Sequence, residues 1–316
     1  MALIENIQSL KQEISKVIVG KDLEVELMAI SLLFNGHILL ESVPGTGKTM
    51  LAKSFAAAIG GHFSRIQFTS DVLPSDVTGI QFFNPKVQEF ELRPGPIMAN
   101  LVLADEINRA TPRTQSSLLE VMEERQVTID GITVPINEPF MVIATQNPVE
   151  SQQGTFPLPV AQMDRFFMKI KVGYPTFEEE KQIMHNGQVN PGQNPVSPVF
   201  FLSDLEELKK EVNKVYMTND IEDYLLSIIR RTREHSSIEL GVSPRGTLAL
   251  MKASQGKAFL NGRTYVTPAD IKSVAPFVIG HRIILSIEGS LTKSQEEIIL
   301  EIIDSVPVPV EAGANG

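Results

Sequence analysis

Cysteine is absent from all 316 residues, which excludes disulfide scaffolds, thiolate zinc sites and cysteine nucleophiles together. Histidine is scarce. His37, His62, His185, His235 and His281 lie too far apart in sequence for any two to sit at metal-ligand spacing on one helix. Positive charge is in the minority, with 28 Lys+Arg against 38 Asp+Glu and a net charge of −10, which argues against a broad nucleic-acid or anionic-membrane surface. Long apolar runs are missing too. Residues 1–20 mix charges with apolar positions and have no core like that of a signal peptide, and the greasiest run, Leu27–Phe34, is too short to span a bilayer. No internal repeat or low-complexity block occurs. What is there, 42% hydrophobic and 21% charged residues, is enough for a sizeable core. The expectation at this level is a cytoplasmic α/β protein.

The first half alternates short apolar runs with helical patterns, as a parallel sheet covered by helices should. Strands are predicted at His37–Leu40, Phe63–Phe68, Leu101–Ala104, Met141–Ala144 and Phe166–Lys171. Alternating residues flank Asp130-Gly131 within 126–135, a strong two-residue hairpin signal. A second insert runs from Val77 to Pro96, with Phe82 and Phe83 before a turn at Asn84-Pro85. Composition changes near Gly173-Tyr174-Pro175, where a short helical pattern gives way to a Pro/Gly/Asn-rich stretch. Beyond it only helices are predicted: Leu205–Val215, Ile221–Glu234, Pro244–Leu260 and Pro268–Leu285. Ser243 and Thr267 each precede a proline at the first helical position, and Asp270 completes a capping-box pattern with Thr267. The expected division is an α/β domain over 1–175, a linker over 176–200 and a small all-helical domain over 201–316, with a loosely held tail from Pro307.

The sharpest signal is Ser42-Val43-Pro44-Gly45-Thr46-Gly47-Lys48-Thr49, after a predicted strand and before a predicted helix over Thr49–Ile59. A phosphate chain needs inward-turned backbone N–H groups, a lysine for the terminal phosphates, a hydroxyl for Mg²⁺ and a helix N-terminus behind it. Gly45, Gly47, Lys48 and Thr49 supply these in order. The eight-residue pattern opens with glycine, and Ser42 stands there instead, which is tolerable if its dihedrals stay ordinary. Hydrolysis needs more. Leu101-Val-Leu-Ala104 leads into Asp105-Glu106, an acidic pair at the C-terminal end of a buried strand. Asp105 would complete the Mg²⁺ shell and Glu106 would act as general base on water. The next strand ends in Thr145-Gln146-Asn147, a polar tip suited to holding water or the γ-phosphate.

These stretches resemble the MoxR family of AAA+ ATPases, and the resemblance covers nearly the whole chain, from Val17–Gly20 to Val274–Pro276. Its most specific parts are residues 71–79, 93–96, 103–110, 144–148 and 161–166. It implies a P-loop NTPase core, a five-stranded parallel sheet flanked by helices, with hairpin inserts and a helical lid. It implies ATP and Mg²⁺, the nucleotide held by Val19, Gly20, Pro44, Gly45, Thr46, Gly47, Lys48, Thr49 and Met50, the metal by Thr49 and Asp105. Asn147 is then sensor 1, Arg165 the arginine finger for a neighbouring subunit, and Arg245 sensor 2. Arg109 and Arg113 remain rivals to Arg165. An Arg near a helix start is mildly unfavourable, which suits a phosphate partner for Arg245. The chain departs from the family at Ser42 and at Val160, where Glu is usual.

The resemblance further implies a hexameric ring and a protein client, in this family one with a von Willebrand factor A domain. Phe82, Phe83 and Phe90 on the insert either grip that client or pack the hairpin onto its own sheet. A regulatory ATP-binding switch with little turnover is the alternative. A nucleic-acid motor is disfavoured by the acidic balance, and a GTPase because Asn213-Lys214 lacks the acid two residues on that selects guanine.

Overall fold

A computed structural model describes residues 2–43, 45–147, 154–189, 196–199 and 202–309. Two helices, α1 (Ala2–Ser15) and α2 (Asp22–Leu33), lead into β1 (Ile38–Ser42), then α3 (Lys48–Ala58) and β2 (Phe63–Gln67). The first insert is a one-turn-plus helix α4 (Pro74–Thr78) and the hairpin β3 (Gly79–Asn84) with β4 (Glu89–Pro94). Next come β5 (Leu101–Asp105) and α5 (Pro112–Glu124), then the hairpin β6 (Gln126–Ile129) with β7 (Ile132–Pro135). The α/β part closes with β8 (Met141–Gln146), the short α6 (Val160–Met163) and β9 (Met168–Val172).

Five parallel strands pair in the order β2-β5-β8-β1-β9. All five residues of β5 are buried, as are the first five of β8, because helices cover both faces of a parallel sheet. That accounts for their continuous rather than alternating apolar pattern. Both predicted hairpins form. Asp130 and Gly131 take left-handed φ of 48° and 85°, as a two-residue turn matching strand twist requires. In β3–β4 the rings of Phe83 and Phe90, a cross-strand pair, meet edge to face at 5.5 Å, and both rings stay exposed.

Beyond β9 lie α7 (Phe177–Val189), α8 (Leu202–Val212), α9 (Asn219–Glu234), β10 (Ile238–Leu240), α10 (Pro244–Leu260), α11 (Pro268–Ile279), β11 (Ile284–Leu285), α12 (Ile287–Thr292) and α13 (Gln295–Ser305). Helix α7 occupies much of the segment expected to be a linker, started by a Thr176–Glu179 capping interaction in which Thr176 N–H donates to Glu179 Oε2 at 2.7 Å.

The expectation of helices alone in this region is corrected by β10 and β11, which pair antiparallel. A single helix over Pro268–Leu285 is likewise corrected: it stops at Ile279, the Arg282 side chain takes the Val278 carbonyl at 2.6 Å, and the freed chain pairs with β10. Helix α8 ends three residues before the expected Val215, whose neighbour Tyr216 bridges to Tyr265. α12 and α13 were not predicted. Most of the expected loose tail lies outside the described residues. One apolar cluster runs from α1, α2 and α3 across β1 and β9 into α8–α11 and α13, so the lid shares a core with one face of the sheet. The other face has its own cluster beneath α4 and α5.

Two buried histidines tie these layers. His37, just before β1, donates from Nε2 to Met122 O (3.0 Å) and accepts at Nδ1 from Val142 N–H (2.9 Å). Burial, with Arg125 nearby, pushes its pKa down to about 3. His281 donates from Nε2 to Phe166 O at 2.9 Å, and burial beside Arg282 lowers its pKa well below the usual range. Both folded pKa values are depressed, so the unfolded chain binds protons that the folded one refuses. Stability is therefore complete above about pH 6.5 and is lost as pH falls below it, by up to ~1.4 kcal/mol per pH unit for each histidine. Urea midpoints measured between pH 7.5 and 5 should show this slope, and His37→Asn should remove about one histidine's share. An unchanged slope in that variant would remove His37 from the account.

Candidate active site

The loop after β1 is built as a phosphate cradle. Gly45 and Gly47 take left-handed φ of 83° and 81°, open to glycine without strain, and a Cβ on either would meet nothing within 4 Å. Gly47 caps α3 without a side chain, leaving the first-turn N–H groups of α3 to a ligand. Thr46 Oγ1 closes the loop on Val43 O at 3.0 Å. Lys48 and Thr49 open α3, and exposed Met50 follows. Pro44 lies outside the described residues. Ser42 keeps ordinary dihedrals as the last residue of β1, paired with Val172.

Register brings the acidic pair to this loop. Lys48 Nζ lies 4.0 Å from Asp105 Oδ1, across the width of β8. Asp105 is buried, accepts from Thr145 Oγ1 at 2.6 Å, and takes Arg65 Nη2 at 2.6 Å and Nε at 3.2 Å on its other oxygen. Glu106 sits just past the strand in a left-handed conformation, φ 58°, uncommon for a side chain with a Cβ. Its N–H donates to Thr145 Oγ1 at 2.9 Å, and its Oε2 accepts from Gln67 Nε2 (3.0 Å) and pairs with Arg109 Nε (3.2 Å). Asn147 is buried one residue past β8, level with the end of β1 and hence between the acidic pair and the loop. Val19 and Gly20 sit beside the exit of β9, where Gly20 packs on Glu179 and Lys21 Nζ reaches Gly173 O at 3.5 Å.

Arg165 and Arg245 are elsewhere. Phe167 N–H donates to His37 O at 2.7 Å, so Arg165 lies at the start of the strands while the phosphate loop lies at their end. The five residues of β1 at ~3.3 Å each separate His37 from the loop, roughly 17 Å and beyond an arginine's reach. Arg245, in the first turn of α10, pairs with Glu123 at the same end as Arg165. That carboxylate relieves the helix-end penalty noted for Arg245. The two arginines line one groove of about 330 Å³ with Lys252 and Arg125. Of the rivals, Arg109 is engaged with this chain's own Glu106, and Arg113 is exposed at the start of α5.

Arg65 and Gln67 escaped the sequence reading as site residues, and Thr145, part of the expected polar tip, holds Asp105 and the Glu106 N–H. Arg65 and Gln67 alternate on one side of β2, a period-2 polar pair that only becomes meaningful once β2 is known to neighbour β5.

The donor set suits a hard cation held with phosphate. Thr49 and Asp105 offer oxygen ligands, and among the described residues no group of three or more His, Asp or Glu forms a closed cage. Mg²⁺ typically binds through one or two protein oxygens plus phosphates and waters, so these residues fit it.

The cradle, the acidic strand end and the lid define a P-loop nucleotide hydrolase. Residues 37–168 match the model of the ATPase family associated with various cellular activities, and residues 230–302 match its AAA lid domain. The chain is 50% identical to the Bacillus subtilis protein YeaC, of uncharacterised function, covering 96% of this chain and 95% of that one. It is 41% identical to Chaperone MoxR1 of Mycobacterium tuberculosis, over 94% of this chain and 81% of the relative. A candidate ATPase from Cytophaga hutchinsonii, solved by crystallography, superposes with a TM-score of 0.90 at 39% identity, over 97% and 96% of the two chains. The chain is an AAA+ ATPase and belongs to the MoxR family.

Proposed function

We propose that the chain hydrolyses ATP with Mg²⁺ at the interfaces of a ring of identical subunits, a hexamer, and that turnover remodels, matures or loads a metal cofactor into a partner protein. One observation carries the reading. Arg165 and Arg245 stand at the opposite end of the sheet from the phosphate loop, so the arginine end of one copy completes the phosphate end of the next.

Within a copy, the N–H groups behind Gly45 to Thr49 and the Lys48 ammonium hold the phosphates. Val19 and Gly20 cover the base. Thr49 and Asp105 hold Mg²⁺, which when bound neutralises phosphate charge and polarises the γ-phosphate. Glu106 accepts the proton of the attacking water at its carboxylate, and Asn147 orients that water. Arg165 of the neighbouring copy meets the charge that spreads over the transferred group.

Exposed Phe82, Phe83 and Phe90, the last 69% exposed, would grip the client, and a chaperone's name on the Mycobacterium relative supports a protein client. A von Willebrand factor A domain is the partner that the family resemblance suggests. We assign residues 1–175 to nucleotide binding, 176–200 to the connection and 201–316 to the lid. Among the described residues no helix is long and apolar enough to cross a membrane, and dependence on ATP supports a cytoplasmic location.

A second reading, a switch with little turnover, is favoured by the restraint on Glu106, which Gln67 and Arg109 hold at 3.0 and 3.2 Å. ATP turnover per chain with Mg²⁺, measured over a wide range of chain concentration, separates the two. A steep rise with concentration is expected for a site completed between copies. Flat, negligible turnover alongside demonstrable ATP binding would support the switch instead.

A further inference from the structure

Arg282 lies beyond α11 with 3% of its surface exposed, and burial lowers its pKa to about 10 with Asp164 opposing, so it stays charged at neutral pH. All five of its N–H donors are used. Nε meets Asp164 Oδ1 at 2.7 Å, Nη1 meets Val278 O at 2.6 Å and Phe167 O at 3.2 Å, and Nη2 meets Phe166 O at 2.6 Å and Asp164 O at 3.2 Å. Three of the four carbonyls so held, those of residues 164, 166 and 167, flank Arg165.

The same guanidinium abuts the helix that carries Arg245. Asp164 Oδ2 accepts from Ser243 Oγ at 2.7 Å, and Ser243 in turn caps α10 by accepting Gly246 N–H at 3.1 Å. A Cβ at Gly246 would stand 2.7 Å from Arg282 Cδ, so glycine there permits the contact. Arg282 therefore sits between the loop of Arg165 and the first turn of α10.

We propose that Arg282 is a positioning residue for the intersubunit site: its buried fork locks Arg165 and Arg245 into one rigid pair that enters a neighbour's nucleotide site together. The lid cannot then move without carrying the arginine finger with it. This rests on the intersubunit reading above.

Mixed-subunit turnover tests it. Arg282→Lys keeps the charge but replaces a five-donor fork by a point charge, and misplacing a catalytic group by about an ångström costs on the order of 10²-fold. The variant should lose turnover on that scale while its affinity for a fluorescent ATP analogue stays at the wild-type value. Mixed with Glu106→Gln, which is dead at its own site but presents an intact arginine pair, it should regain turnover well above either variant alone. Arg165→Ala mixed with Glu106→Gln is the reference. If the reference mixture regains turnover and the Arg282→Lys mixture does not, Arg282 serves the fold alone and the inference fails. If neither mixture regains it, the intersubunit reading fails first. Should Arg282→Lys not unfold cooperatively, Gly246→Ala, which pushes a methyl against Arg282, must give the same pattern in the same mixture, and absence of rescue there also overturns the proposal.

Discussion

Glu106→Gln should bind ATP as tightly as the wild type and hydrolyse it about 10²- to 10⁴-fold more slowly, the usual contribution of a positioned general base. The substitution keeps the shape and the backbone N–H bond to Thr145, which holds the strand end whatever the side chain. It removes the proton acceptor together with the charge that pairs with Arg109. Because the proposed phosphate cradle is the loop after β1 with Lys48, binding should be untouched. Trapped with ATP, the variant should also populate the assembled form more than the wild type, since the cycle stops before product release. Turnover and size-exclusion chromatography with light scattering measure both. Normal hydrolysis in this variant would show that another group activates water, and Asp105, engaged by Thr145 and Arg65, would be the first to test.

Arg165→Ala should lower turnover by ~10³-fold or more, the scale on which a positive charge supplied by a neighbour contributes in comparable phosphoryl-transfer enzymes. Its nucleotide affinity as an isolated chain should not change, because the side chain lies at the far end of the sheet from its own loop. Arg109 gives the contrasting case. It pairs with Glu106 of its own chain, so Arg109→Ala acts on the base in the same subunit and should not be rescued by a partner with an intact arginine end. Mixing each with Glu106→Gln reads the difference directly. Rescue of Arg109→Ala together with failure of Arg165→Ala to be rescued would exchange the two roles.

The phosphate loop, the acidic pair and both hairpins were legible because each depends on neighbours within a few residues. Glycines at 45 and 47 are needed where the chain turns left-handed, Asp130-Gly131 suits one turn type, and an unbroken apolar run ending in two acids marks a buried strand. Helix α10 begins and ends where Ser243-Pro244 and the run to Leu260 place it, since capping and proline at the first position act locally. The short strands β10 and β11 were not legible. Their three and two residues carry too little pattern to separate from helix, and β11 forms from chain that has already left α11 at Ile279.

By itself, then, the sequence determined the strand–loop–helix turn, the acidic strand end that follows it, and the α/β class, all of which follow from dihedral tolerance, capping and hydrophobic period. Only the tertiary structure decided which strands are neighbours and which end of the sheet each arginine occupies. Strand order placed Arg65 and Gln67 of β2 against Asp105, the last residue of β5, and Glu106 just past it. Packing of the lid joined Arg282 to Asp164 across 118 residues and Arg245 to Glu123 across 122. No local pattern encodes such pairs, because what holds them is the burial of a shared core that exists only once the sheet and the lid have closed on each other.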